Sequence, residues 1–271
     1  MAIHYMSNQD QIQKKYAHLV GIDQFGVGSR TEELQYWNYG LWDTQQDDPK
    51  LASEMLVSTL MERLPEAPAS ILDVGFGQGA SVRELCRRYG RDNVVGINIA
   101  ADQVEHARAS GIDCDLRVMD AAHLEFEPES FDGILSVEAA FHFDSRESFL
   151  KGAFEALKPG GKLVLSDFLM RGNLGLDPDV FPTANVTSSM DEYRNVFTKA
   201  GFARENVHID VTTTRQLLPF IARMAEFAGY MPKPDPKIIR IDEHHSQAAI
   251  EFILTRLLNV GDTVITVAVK G

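Results

Sequence analysis

Cysteine is scarce in this 271-residue chain, which contains Cys86, Cys114 and no other thiol. The two residues form no CxxC pair, and neither stands near a histidine at the spacing of a metal site. This scarcity argues against a disulfide framework and against a zinc site. We predict that both residues are small core side chains in a reducing compartment.

Long apolar runs are absent as well, because no stretch approaches the ~18 consecutive apolar residues that a membrane-spanning helix needs. Residues 1–5 lack the basic and apolar regions of a signal peptide. The default expectation is therefore a cytoplasmic protein.

Basic residues are few relative to acidic ones, since 26 Lys and Arg against 39 Asp and Glu give a formal net charge of −13. This balance disfavours nucleic acids and anionic membranes as partners, although a basic patch built only by folding stays open. We expect a small-molecule substrate, no nucleic acid, no membrane, and a monomer or a homodimer.

Apolar runs alternate with helical stretches between residues 70 and 168. A helix over residues 48–64 precedes them and begins at Asp48-Pro49, a capping residue followed by a proline in the first turn. We predict strands at 70–74, 94–99, 116–119, 131–137 and 162–168, and helices at 80–89, 102–109 and 146–157. Such alternation favours βαβ units around a parallel sheet.

The pattern loosens over residues 171–189, where Gly, Asn, Asp and Pro are frequent, which predicts a loop above a site. Further strands are predicted at 207–214 and 263–269, and further helices at 190–200, 217–230 and 246–258. The predicted organisation is an N-terminal arm or lid over residues 1–46 and a domain over residues 47–271, with cap insertions near 171–190 and 215–260.

The strongest motif is an apolar strand that ends in Asp73-Val74-Gly75-Phe76-Gly77-Gln78-Gly79 and leads into a helix. Glycines at this point let the backbone turn sharply and let a ligand touch the main chain. The dinucleotide motif GxGxxG has its third glycine one residue later, and an aspartate before the loop repels phosphate. A ligand that carries an ammonium group suits the motif better, and a turn without ligand is the alternative.

This segment resembles motif I of the class I S-adenosylmethionine (SAM)-dependent methyltransferases. The resemblance implies an α/β, Rossmann-like fold with a seven-stranded, mostly parallel sheet flanked by helices. It implies SAM as cofactor and S-adenosylhomocysteine as product. It also implies that the methionine part of SAM is held by Asp73, Gly75, Gly77 and Gly79.

Asn98 and Ile99 end the second predicted strand, where the family more often has an acidic residue for the ribose hydroxyls. Asn98 can donate and accept hydrogen bonds, but it supplies no charge-assisted pair. Some natural-product and fatty-acid-modifying members look similar, which implies that Gln103 shares the ribose. The alternative is an ordinary exposed helix glutamine.

Asp120-Ala121 follows the third predicted strand and matches the family position that contacts adenine. A carboxylate is a sound acceptor for the adenine amino group, and a loop cap is the alternative for Asp120. The segments 131–138 and 157–163 resemble the fourth-strand and fifth-strand motifs of the family. The resemblance adds Val137 to the implied cofactor contacts.

The segment that contains Phe141 and His142 resembles one in sugar and polyketide O-methyltransferases, where a histidine deprotonates a hydroxyl. Ligands of open α/β sheets bind beyond the carboxyl ends of strands, and an imidazole is suited to accepting a proton near neutral pH. We take His142 as the candidate base and Asp167 as the residue that orients its ring or binds the hydroxyl. The alternatives are that His142 only lines the pocket and Asp167 only caps a loop.

The N-terminal segment Tyr36-Trp37-Asn38-Tyr39-Gly40-Leu41-Trp42 resembles the YWNxGxW segment of the same subgroup, whose aromatic residues close over cofactor and substrate. Tyr36, Trp37 and Tyr39, together with Phe141, are therefore candidate lid or substrate residues. The alternative is that these rings attach the arm to the core. Adjacent residues on a helix face different ways, so His244-His245 is not expected to bind a metal.

The implied function is transfer of a methyl group from SAM to a hydroxyl of a small secondary metabolite. Carbon or nitrogen methylation on the same fold is the nearest alternative, because a fold does not fix the acceptor. A SAM-bound cyclase or binding protein that transfers no methyl group is the second alternative.

Overall fold

The computed structural model describes residues 38–42, 48–170, 182–216, 219 and 260–271. Within these ranges the strands are β1 Ile71–Val74, β2 Val94–Asn98, β3 Asp115–Val118, β4 Phe131–Val137, β5 Leu157–Met170, β6 Val207–Val211 and β7 Val260–Val269. The described helices are α1 Pro49–Met61, α2 Ala80–Tyr89, α3 Ala101–Ala109, α4 Arg146–Ala156 and α5 Met190–Ala200.

The strands form one seven-stranded sheet in the order β3-β2-β1-β4-β5-β7-β6. Strands β1 to β5 pair in parallel, while β7 runs antiparallel to both β5 and β6. The chain reverses its direction across the sheet between β1 and β4, which makes the carboxyl ends of these two strands a switch point. The predicted seven-stranded, mostly parallel α/β sheet is confirmed.

Strand β5 begins at Leu157, where the sequence predicts the end of a helix and then a turn at Lys158-Pro159-Gly160-Gly161. The register of β4 against β5 shifts between Phe131 and Gly133, so the predicted turn is absorbed as a bulge. The Gly160 N–H donates to the Lys270 carbonyl at 2.8 Å, which pairs the bulge with the end of β7. The predicted turn was wrong because pairing on both sides of β5 supplies partners for this backbone.

Strand β6 ends at Val211 rather than at residue 214. The Thr212 carbonyl accepts from the backbone N–H groups of Arg215 and Gln216, both at 2.8 Å, and this closes a turn. The start of α1 agrees with the sequence, because the Asp48 side chain accepts from the Lys50 N–H at 2.8 Å and Pro49 stands in the first turn.

The core lies in two apolar clusters of buried side chains. One contains Phe149 of α4 and Phe197 of α5, and the other contains Leu56 of α1 and Leu85 of α2. Full burial of such a side chain contributes about 1.5–3 kcal/mol, so these clusters supply much of the stability. Strand β1 is buried along its whole length, and its position in the middle of the sheet fixes the loop that follows it.

Cys86 and Cys114 are free thiols that are partly buried and pack against the second of these clusters. They therefore sit at the margin of the core as small apolar side chains. No described helix is both long and apolar enough to span a bilayer.

Several predicted features lie outside the described residues. They include most of the N-terminal arm, with Tyr36 and Trp37, and the loop at 171–181. The predicted late helices at 217–230, apart from residue 219, and 246–258 also lie there, as does His244-His245. The division into an arm over 1–46 and a capped domain over 47–271 stays a prediction.

Candidate active site

The glycine loop between β1 and α2 adopts a backbone that favours glycine. Gly75, Gly77 and Gly79 have φ angles of +78°, +56° and +98°. A Cβ on Gly75 would lie 2.8 Å from the Cβ of Ala139, whereas a Cβ on Gly77 would meet nothing within 4 Å. Gly75 thus packs against the segment that follows β4, and Gly77 borders open space that a ligand can occupy.

Asp73 is a buried carboxylate at the mouth of this loop, with no exposed surface. Its Oδ2 accepts from the Ser81 hydroxyl at 2.6 Å, while its Oδ1 has no hydrogen-bond partner among the described residues. Burial raises the pKa of Asp73 to about 7, against the lowering effect of the Ser81 hydrogen bond. An orphaned buried carboxylate oxygen is unfavourable unless a cation approaches it, and the residues here therefore fit a ligand ammonium.

Asn98 and Gln103 are brought together at the end of β2, and both are buried. The Asn98 Nδ2 donates to Gln103 Oε1 at 2.7 Å and to the Gly77 carbonyl at 3.4 Å, and Asn98 Oδ1 accepts from the Ala100 N–H at 3.0 Å. Asn98 therefore connects the glycine loop to α3. The amide NH2 of Gln103 has no acceptor within the described part of the chain, which suits a hydroxyl ligand. Ile99 is half-buried in the adjoining turn.

Asp120 and Ala121 lie in the loop after β3. The Asp120 Oδ1 accepts from the Ala122 N–H at 2.9 Å, and its Oδ2 lies 3.0 Å from His123 Nδ1. The Met119 N–H donates to the Asn98 carbonyl at 3.0 Å, which keeps this loop beside the end of β2. Asp120 thus makes the contacts expected of a residue that caps a loop, which was the alternative to a contact with adenine. The contact with adenine stays a prediction.

Glu138 follows Val137, the last residue of β4, and has a φ of +48°, which is uncommon for a residue with a side chain. Its Oε2 accepts from the Tyr39 N–H at 2.7 Å, and its Oε1 accepts from Gln216 Nε2 at 2.8 Å. Burial raises its pKa to about 8, and nearby Asp167 adds to the rise. Glu138 therefore joins the N-terminal segment and the turn after β6 to the end of β4.

The described part of the N-terminal segment, residues 38–42, packs beside this glutamate. The Tyr39 ring meets the Phe168 ring edge-on, with centroids 4.9 Å apart. The Trp42 Nε1 donates to the Tyr39 carbonyl and the Trp42 N–H donates to the Arg215 carbonyl, both at 2.7 Å. Trp42 is buried and attaches the segment to the domain, and Tyr39 supplies an aromatic wall beyond β5.

His142 ends the 3-10 turn Ala140–His142, directly beyond the carboxyl end of β4. Its N–H donates to the Ala139 carbonyl at 2.9 Å, and its half-buried ring lies 4.1 Å from the ring of Phe141, centroid to centroid. The Phe141 ring in turn lies 4.6 Å from that of Phe168. The structure thus brings together His142, Phe141 and the Tyr39–Phe168 pair.

Asp167 lies on β5 and contacts a different set of residues from His142. Its side chain is fully buried. Its carboxylate lies 2.8 Å from Arg146 Nε and accepts from Tyr193 Oη at 3.1 Å and from the Phe168 N–H at 2.8 Å. Burial raises the pKa of Asp167, and the guanidinium of Arg146 opposes that rise. Among the described contacts of this carboxylate none goes to the His142 ring, so any effect of Asp167 on that ring is indirect.

Sequence reasoning missed Arg146, Tyr193 and Asn185, which surround Asp167 and the His142 turn. Arg146 carried a signal, because a cation in the first turn of a helix opposes the helix dipole and needs a specific partner. The sequence gives no such signal for Asn185, which is one of many turn-forming residues in the segment 171–189. Within the described ranges no three His, Cys, Asp or Glu side chains group as metal ligands.

Comparison with known proteins places this geometry in a family. Residues 72–165 match the family described as a methyltransferase domain. The chain is 32% identical over 183 residues to methyltransferase GfsG of Streptomyces halstedii, an alignment that covers 60% of this chain and 64% of that protein. It is 33% identical over 186 residues to 27-O-demethylrifamycin SV methyltransferase of Amycolatopsis mediterranei, covering 62% of this chain and 67% of the relative.

Among solved structures, the crystal structure of the [4+2]-cyclase SpnF is similar in fold. The TM-score is 0.73 at 18% sequence identity, with 97% of this chain and 96% of that chain covered. At this identity the likeness concerns the fold alone. The sequence relatives and the glycine loop with its buried aspartate together show that the chain belongs to the class I SAM-dependent methyltransferases.

Proposed function

We propose that this protein transfers the methyl group of SAM to a hydroxyl of a small secondary-metabolite acceptor, with His142 as the general base. One observation carries the proposal. The glycine loop touches the segment that bears His142, because a Cβ on Gly75 would lie 2.8 Å from Ala139 and 3.6 Å from the Phe143 ring. This contact supports the proposal that a ligand over Gly77 would lie beside an acceptor at His142.

The residues of the loop and of the adjoining strand ends have the chemistry to hold SAM. Asp73 offers a buried carboxylate to the ammonium group, and the Asn98–Gln103 pair offers an amide to the ribose hydroxyls. The candidate contacts for the rest of the cofactor stand at or after the carboxyl ends of β2, β3 and β4. They are Ile99, Asp120, Ala121 and Val137. When bound, SAM supplies an electrophilic methyl group on a sulfonium.

His142 accepts the hydroxyl proton on an imidazole nitrogen, which leaves an oxygen nucleophile at the end of β4. Transfer between a sulfonium and this oxygen disperses charge, so the protein contributes mainly by alignment and by exclusion of water. Phe141, Phe168 and Tyr39 form an aromatic wall suited to that exclusion. Tyr36 and Trp37 lie outside the described residues and stay candidate lid residues.

Hydroxyl methylation is favoured by the rifamycin relative, whose name describes an acceptor with a demethylated oxygen. The experiment incubates the purified protein with SAM and separate sets of small alcohols or phenols, amines and activated carbons. Mass spectrometry should show S-adenosylhomocysteine together with a gain of one methyl group in the hydroxyl set. Products only in the amine or carbon set would contradict the choice of acceptor. A bound but unconsumed SAM with every set would favour a non-methylating protein.

The first prediction concerns the binding of SAM beside the buried carboxylate of Asp73. Asp73→Asn keeps the size of the side chain and an acceptor for Ser81 but removes the charge. We expect SAM to bind roughly 10- to 100-fold more weakly, which is the range for losing a hydrogen bond to a charged group. Calorimetry on the folded variant measures this change.

Because the pKa of Asp73 is raised to about 7, the affinity of the wild-type protein for SAM should depend on pH. Below a pKa of about 7 the folded protein holds Asp73 protonated, so the counter-charge is missing; above it the carboxylate is present. The affinity for SAM should therefore rise as the pH rises through 7, and it should rise more steeply in the wild type than in Asp73→Asn. The variant serves as the control, because titration of the amino group of SAM affects both proteins equally. Equal slopes in both proteins would show that Asp73 does not face the ammonium.

A further inference from the structure

A single buried amide holds the backbone on both sides of His142. Asn185 ends the 3-10 turn Thr183–Asn185 and is 1% exposed. Its Nδ2 donates to the carbonyl oxygens of Phe141 at 3.2 Å and of Phe143 at 2.5 Å. These carbonyls belong to the residues directly before and after His142, so the amide fixes the turn that presents the imidazole.

The amide is itself anchored on α4. The Asn185 Oδ1 accepts from the Arg146 N–H at 2.7 Å, and the Asn185 carbonyl accepts from Arg146 Nη1 at 2.6 Å. Arg146 is in turn paired with Asp167 of β5. Buried polar networks restrain the elements that they connect, and this one links β5 and α4 to the His142 turn.

We infer that Asn185 is a positioning residue, which holds the His142 turn in place against the glycine loop. The inference rests on the proposed function of His142 as base. A general base must lie within hydrogen-bond reach of the proton that it accepts. Among the described backbone hydrogen bonds of the turn, those such as Phe143 N–H to the Ala140 carbonyl at 3.3 Å are local, whereas the Asn185 amide reaches the turn from another element of the fold.

Two variants at this position test the inference. Asn185→Asp keeps the size and the acceptor for the Arg146 N–H, but it turns an oxygen instead of an NH2 group toward the two carbonyls. Asn185→Ala removes all three side-chain hydrogen bonds. A displacement of the order of 1 Å costs about 10²-fold in rate, so we expect kcat to fall by about that factor in both variants. The KM for SAM and its Kd should change little, because the glycine loop is untouched.

Ser145→Ala is the matched control for general destabilisation. Ser145 caps the same helix, α4, through its hydroxyl, which accepts from the Ser148 N–H at 3.1 Å, and it makes no described contact with the two carbonyls. The control should lose stability but retain kcat. An equal fall of kcat in Ser145→Ala would show that the effect is merely structural and would overturn the inference.

The combination with His142→Ala separates this inference from the proposed function. If Asn185 acts through His142, Asn185→Ala should lower the rate little further in the His142→Ala background. A full second loss there would overturn the positioning role while the base stands. If His142→Ala alone keeps the wild-type rate, His142 is not the base. The positioning role inferred for Asn185 is then overturned as well.

A readout that needs no turnover completes the test. The imidazole resonances of His142 in the free protein, recorded by NMR, should shift or broaden in Asn185→Ala because the turn is released. They should stay unchanged in Ser145→Ala. Unchanged resonances in Asn185→Ala would overturn the inference whatever the kinetic results.

Discussion

His142→Ala should lower the methylation rate by roughly 10²- to 10⁴-fold, the usual contribution of a positioned general base. The Kd for SAM should change little, because His142 is not among the candidate cofactor contacts on β1 to β4 and their following loops. The measurement pairs a rate with the hydroxyl acceptor found in the mass-spectrometric screen and calorimetry with SAM. Rate and affinity should therefore separate.

The pH profile makes the same prediction more specific. A protonated imidazole cannot accept a second proton. At saturating SAM, where weaker cofactor binding has no effect on the rate, the wild-type rate should therefore fall at acidic pH more than the rate of His142→Ala. His142→Gln approximates the size and polarity of the ring but has no basic nitrogen, so it should not restore the rate. His208→Ala, at an exposed position on β6, is the matched control and should keep both the rate and the profile.

A His142→Ala variant that retains most of its activity, with a flat pH profile, would contradict the proposed base. It would indicate that alignment alone suffices, or that the acceptor is a nitrogen or carbon. The acceptor screen distinguishes these cases, because each acceptor class yields a different methylated product.

The central strands β1, β2 and β4 were predictable because they are largely buried and appear in the sequence as apolar runs. The run before Gly75 and the glycines after it were also sufficient to predict the tight turn that now shows three positive φ angles. The limits of β5 were not predictable. Lys158-Pro159-Gly160-Gly161 has the composition of a turn, and only its pairing with the end of β7, far along the chain, turns it into a bulge.

The candidate site was predictable where it follows strand ends and missed where it depends on distant contacts. Asp73, Asn98 and His142 could be named as candidates because each stands at the end of a strand or just beyond it. The partners of Asp167 were not found, since Arg146 and Tyr193 come from two helices and meet the carboxylate only in the fold. Glu138 was placed near the site by its position after a strand but was given no role, because neither its positive φ nor its bond to Tyr39 leaves a pattern in the sequence.

Arg146→Met should lower the free energy of unfolding by about 3–5 kcal/mol, the range for breaking a buried ion pair from one side. The substitution keeps an unbranched apolar chain but leaves the Asp167 carboxylate buried. Tyr193 and the Phe168 N–H still donate to it, yet no positive charge faces it. Urea denaturation followed by circular dichroism measures the change in stability.

The sign of the pH dependence follows from the same carboxylate. Burial already raises the pKa of Asp167 and Arg146 opposes the rise, so removing Arg146 raises that pKa further. Folded Arg146→Met then holds a proton that the unfolded chain releases above a pH of about 3.9. Its stability should therefore decrease as the pH rises from there toward neutrality, by more than that of the wild type.

Arg63→Met is the matched control, because Arg63 makes an ion pair of similar length, 2.6 Å, with Asp210, but the two side chains are 31% and 59% exposed. Exposed pairs contribute about 0–1 kcal/mol, so this variant should unfold close to the wild type. Adding Asp167→Asn to Arg146→Met should recover part of the loss, since no uncompensated charge then stays buried. Equal losses in Arg146→Met and Arg63→Met, or no recovery in the double variant, would show that the Arg146–Asp167 pair does not hold β5 and α4 together.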